Sequence, residues 1–155
     1  MVIIIPYSNF TQQHLDKIQA FFGLDTESEI YAVIGNILSY LSDLPEVDRM
    51  KPLSYDSLRI AAGITEMDAE KSNVVKVAAY MLSDPNVGLF EQIFDVIDVD
   101  SGKVQSFNFS EICNCINENN CTHPITKQQI SAETFSKVVI VYFVTTQKLW
   151  TPTNQ

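Results

Sequence analysis

Positive charge is scarce in this chain: ten lysines and arginines stand against nineteen acids, giving a net charge of −9 over 155 residues. Proteins that grip phosphate backbones cluster lysine and arginine on one face, and no such face can be drawn here, so DNA is a partner the charge disfavours. Glycine is also sparse, and Gly23, Gly35, Gly63, Gly88 and Gly102 lie too far apart to form a loop that cradles phosphate. Three cysteines cannot all pair within the chain, which fits free thiols in a reducing compartment. Long apolar runs are missing too. Val138 to Val144 is far too short to cross a bilayer, and Val2-Ile3-Ile4-Ile5 has no positive flank and is cut by Pro6, unlike a secretory signal. These absences lead us to expect a cytoplasmic protein without membrane contact.

What is present fits a folded domain. The chain is 46% hydrophobic and 19% charged, well away from the disordered class. Its length suits a single domain over residues 1–150, followed by a flexible tail at 151–155. Charge is uneven along it: residues 1–49 carry −5, 50–85 carry −1, 86–109 carry −3, and 110–155 are neutral.

Hydrophobic periodicity organises the chain further. A short strand is expected at Val2–Ile5. A first helix, capped by Asn9 or Thr11, spaces Phe10, Leu15, Ile18, Phe21 and Phe22 and stops at Gly23. A second opens at Asp25 or Thr26 and aligns Ile30, Val33, Ile34, Ile37, Leu38 and Leu41 on one stripe. These helices occupy residues 1–44, and a charged, proline-flanked hinge runs from Leu44 to Pro52. Ser54 starts a third helix, Gly63 supplies a turn, and Asp68 or Thr65 caps a fourth that ends at Asp84-Pro85. Leu89 to Val99 and Val104 to Phe109 read as strands joined at Asp100-Ser101-Gly102. Residues 110–150 complete the fold with a short helix from Ser110 to about Asn119 and a buried C-terminal helix from Ser131. The β-branched residues of that last segment fit a strand as the competing reading. The fold class expected is α+β, mostly α.

Residues 53–109 resemble a winged helix-turn-helix domain, through the packing positions Leu58, Ala62, Gly63, Ile64, Val74 and Ala78 and the wing tip Asp100-Ser101-Gly102. The resemblance covers about a third of the chain. It implies a winged-helix-like centre whose second helix would bring Lys71, Ser72, Asn73 and Lys76 towards bases, with Arg59 beside them and Lys103 near a phosphate. Glu66, Asp68, Glu70, Asp95, Asp98 and Asp100 depart from that habit by loading the same region with negative charge. The acids Glu27, Glu29, Glu46 and Asp48 bracket the second helix and suit a basic protein partner.

Other chemistry is thin. Cys113, Cys115, Cys121 and His123 form a C-x-C-x5-C-x-H cluster without the two-residue spacing of paired zinc ligands, so no metal is expected. With Gly102 at the sixth position of a calcium loop, Ile97, Val99 and Asn108 would fall at ligand positions, which rules against calcium. No serine or cysteine sits in a nucleophile turn, and neither His14 nor His123 has neighbours that suggest a base. The sequence therefore points to a non-enzymatic protein-interaction or regulatory module without cofactor. A homodimer through the C-terminal helix and a sequence-specific DNA-binding regulator stand as further readings.

Overall fold

The computed structural model describes residues 7–65, 68–117 and 120–151, with backbone alone at 114–117 and 120. The strand expected at Val2–Ile5 and the tail beyond Thr151 lie outside the described residues. The fold is α+β and mostly helical. It divides into two compact units, one built from the chain up to Phe90 together with the stretch from Thr145 onward, the other from Glu91 to Val144.

The first unit is helical. Helix α1 (Asn9–Phe22) is capped by Ser8, whose hydroxyl accepts the Thr11 amide, and it ends at Gly23. Helix α2 (Glu29–Ser42) begins later than its sequence suggests, because Asp25 folds a separate turn by accepting the Glu27 amide, leaving Ser28 to cap the helix. Val33, Ile34, Ile37, Leu38 and Leu41 are buried along α2, as their spacing requires. Helix α1 packs along α2, and α2 packs on α3 (Tyr55–Ala61) and α4 (Ala69–Ser83), which also meet each other. Between α3 and α4, Gly63 takes a positive φ of 78°, a conformation costly for any residue with a Cβ. Ser54 and Asp68 cap these two helices through the amides of Ser57 and Lys71. The chain leaves the unit at Phe90 and returns at Thr145, where the Thr146 amide donates to Leu89 O at 3.0 Å and α7 (Gln147–Trp150) follows.

In the second unit β1 (Phe90–Ile97) pairs antiparallel with β2 (Val104–Asn108), in a register running from Ile97 opposite Val104 to Ile93 opposite Asn108. The hairpin closes through the Gly102 amide on Asp98 O, with Gly102 at a φ of 73°. Asp98 accepts the Ser101 hydroxyl at 2.6 Å, the main reason its carboxyl sits below the usual range. Helix α5 (Phe109–Asn117), a β3 (Asn120–Thr122) and β4 (Gln129–Ser131) ribbon, the short α6 (Ala132–Ser136) and β5 (Val139–Thr145) complete the unit. Strand β5 joins the other edge of β1, giving the order β2-β1-β5. Phe94, Val96, Phe107, Ile112, Cys121 and Phe135 form its core. Across the sheet, Asp95 accepts hydroxyls from Ser106 on β2 and Tyr142 on β5.

The buried C-terminal helix expected from Ser131 is corrected to this short α6 followed by a strand. Val138, Val139, Ile140, Val141 and Val144 are β-branched, lose side-chain freedom in a helix, and fit a pleated surface beside β1. A dimer contact built on a C-terminal helix has no such helix to use.

Candidate functional site

The basic residues singled out in the sequence occupy different settings. Arg59 braces its own turn: its guanidinium bonds the Asp56 carboxylate at 2.8 Å and 2.9 Å and donates to Ile64 O at 2.9 Å. Lys71 and Ser72 are half-buried at the start of α4, whereas Asn73 and Lys76 are exposed. Tyr80, 56% exposed, continues the line from Asn73 and Lys76 at helical spacing. The Tyr80 hydroxyl is hydrogen-bonded to Tyr55, whose own hydroxyl is pushed far up by burial and by that neighbour. Lys103 is exposed on the hairpin of the second unit.

The acidic residues fall into two groups at opposite ends of α2. Glu27 and Glu29 lie at its start, where negative charge complements the helix dipole. Glu46 and Asp48 lie beyond its end, about 20 Å away for fourteen residues at helical rise. Asp48 forms an ion pair with Lys51 at 2.6 Å, and that hydrogen bond raises the lysine pKa.

This second group belongs to a distinctive turn. Pro45 enters a single 3-10 turn over Glu46–Asp48, and the chain then bends through Arg49 and Met50. Val47, between Glu46 and Asp48, is 83% exposed, and Met50, between Arg49 and Lys51, is 64% exposed. The turn is anchored from behind. The Thr145 hydroxyl donates to Arg49 O at 2.7 Å and accepts from Trp150 Nε1 at 2.9 Å, while the Arg49 guanidinium rests 4.6 Å above the Trp150 ring. The same Thr145 hydroxyl lies 3.9 Å from Met50 Sδ, so Met50 touches the anchor while most of its side chain stays exposed. An apolar side chain in water is unexceptional singly, and here two share one short turn.

The remaining candidates are structural. His14 is buried and donates Nε2–H to Leu149 O at 2.9 Å; burial holds its pKa below the ordinary value, the Leu149 carbonyl opposes that, and Lys17 and Lys148 add to it. His123 Nδ1 accepts the Ile125 and Thr126 amides, leaving Nε2 as the donor to Ile97 O, so both ring nitrogens are occupied. A metal needs a free imidazole lone pair, and this one is shared by two amides. Cys121 is buried in the core of the second unit, Cys113 donates to Ser110 O, and the side chain of Cys115 lies outside the described residues. Among the described residues no helix is long and apolar enough to cross a membrane.

In the sequence Leu44 to Pro52 reads as a hinge whose acids Glu46 and Asp48 suit a basic partner, and its apolar Val47 and Met50 were passed over, as was Tyr80 on α4. The signal was local: two apolar residues inside a charged, proline-flanked connection have no helical stripe to join. The class that the fold defines is a small α+β, mostly helical protein. No protein-family model, curated protein or solved structure matches the chain.

Proposed function

We propose that this chain is a non-enzymatic protein-interaction module, an adaptor, inhibitor or assembly component, that engages a basic partner. The carrying observation is the anchored turn at Glu46 to Met50, where Val47 is exposed between Glu46 and Asp48 and Met50 is exposed two residues further on, between Arg49 and Lys51. Apolar contacts supply affinity there, and the Glu46 carboxylate, with Asp48 paired to Lys51, steers a positively charged surface into register. The buried thiol of Cys121 agrees with a cytoplasmic setting. Recovery of the bound partner on immobilised protein tests this. A Val47→Ser, Met50→Ser double variant is expected to lose the partner at least tenfold, as removal of two interface anchors would, with the melting temperature unchanged. Undiminished capture by the double variant would overturn the assignment of this turn.

A second reading, a DNA-binding regulator of winged-helix type, is favoured by one feature. Asn73 and Lys76 are exposed on α4, the second helix of a pair joined through Gly63. It predicts retention on duplex DNA at low salt, a steep loss as salt rises, and abolition by Lys76→Glu. Absence of any shift at low salt removes this reading.

A further inference from the structure

Of the two arginines, Arg59 is fully used within its own turn, and Arg49 is not. Among the described residues, the Arg49 guanidinium has no ion pair, and its Nε is buried without a hydrogen-bond partner. In a chain with nearly twice as many acids as bases, an arginine without a carboxylate is unusual. Its planar head lies over Trp150, and Phe10 stacks on the same indole at 5.7 Å with 24° between the rings. These three side chains, with Ser8, Ser42 and Asp43, line an open pocket of about 330 Å³.

The hydrogen-bonding capacity left in that pocket defines what fits. Trp150 Nε1 is committed to Thr145, the Ser42 hydroxyl donates to Ser39 O at 2.7 Å, and the Ser8 hydroxyl donates to Thr11 Oγ1. Arg49 is therefore the donor that remains, while Ser42 Oγ and the Asp43 carboxylate remain as acceptors. With Nε buried, the guanidinium over the indole has its two terminal amino groups left for a carboxylate held in two-pronged fashion. The Asp43 carboxylate disfavours a highly charged anion such as phosphate and favours an ammonium group. Phe10 and Trp150 supply an aromatic wall.

We propose that this pocket binds a small aromatic zwitterion, the chemical class of a free aromatic amino acid, with its carboxylate on Arg49, its ammonium towards Asp43 and Ser42, and its ring against Phe10 and Trp150. The site stands apart from the interaction reading, since Val47 and Met50 take no part in it.

Trp150 is the only tryptophan, so its emission reports on the pocket directly. Titration with L-phenylalanine, checked by calorimetry, is expected to give a saturable change at millimolar concentration. Hydrocinnamate, which lacks the amino group, should bind more weakly, and phenethylamine, which lacks the carboxylate, should not bind. Arg49→Gln should weaken L-phenylalanine about tenfold or more, the loss expected for a charge-assisted contact, with the circular dichroism spectrum unchanged. Asp43→Asn should weaken L-phenylalanine while leaving hydrocinnamate as tight or tighter, a readout that does not depend on Arg49→Gln folding. Absence of saturable binding by both carboxylates, or equal affinity in Arg49→Gln, overturns the proposal. Inorganic phosphate binding as tightly as L-phenylalanine would also overturn it, reducing the site to a simple anion contact.

Discussion

His14 shows how one buried side chain ties stability to pH. Its ring donates to Leu149 O, linking α1 to the last helix, and burial opposes a charge on it. Because the folded state holds the histidine pKa below its unfolded value near 6.5, the unfolded chain binds the proton more readily. The contribution is thus whole above about pH 6.5 and is lost as pH falls towards the lower folded value. Urea midpoints taken at about pH 7.5 and 5.5 should drop towards acid, and His14→Gln, which keeps a donor for Leu149, should flatten the difference. A variant with the same acid slope as the parent would assign that slope to other groups. Gly63 acts through the backbone instead. At a φ of 78°, with open space around a Cβ, Gly63→Ala should cost about 1 kcal/mol through strain alone, measurable as a lower thermal midpoint.

Among the elements, α2 was legible and β5 was not, for a physical reason. In α2 the apolar residues Val33, Ile34, Ile37, Leu38 and Leu41 recur with helical spacing, and one stripe meets α1, α3 and α4. Leu38 is fully buried, so Leu38→Ala should cost about 3 kcal/mol, seen as a shift in denaturation midpoint. Between Val138 and Val144 every residue is apolar or aromatic, so the run satisfies a helix and a buried strand alike. What selects the strand is pairing with β1, a partner some forty residues earlier in sequence, and periodicity carries no record of such a partner. The cap shift at Ser28 has the same character at shorter range, since it depends on Asp25 using its carboxylate to fold a prior turn.

For the whole molecule, the acidic balance was readable from composition, but the places where it matters were not. Glu27 and Glu29 end up distant from Glu46 and Asp48 because a rigid helix separates them. The Arg49 pocket joins residues from Ser8 to Trp150, nearly the full length of the chain, and no local motif could announce it. Attraction between a net −9 surface and a basic partner should fade with ionic strength, so association rates measured between low and physiological salt are expected to fall several-fold. A rate insensitive to salt would argue for contact through apolar groups alone. The bond between Thr146 and Leu89 has a further consequence. It brings the two crossing points of the polypeptide side by side, so only a short gap would remain to bridge if the intervening stretch were removed. A short glycine-serine splice between those points should preserve the helical scaffold, and unrelated cargo could be grafted at the same seam with little entropic burden on folding.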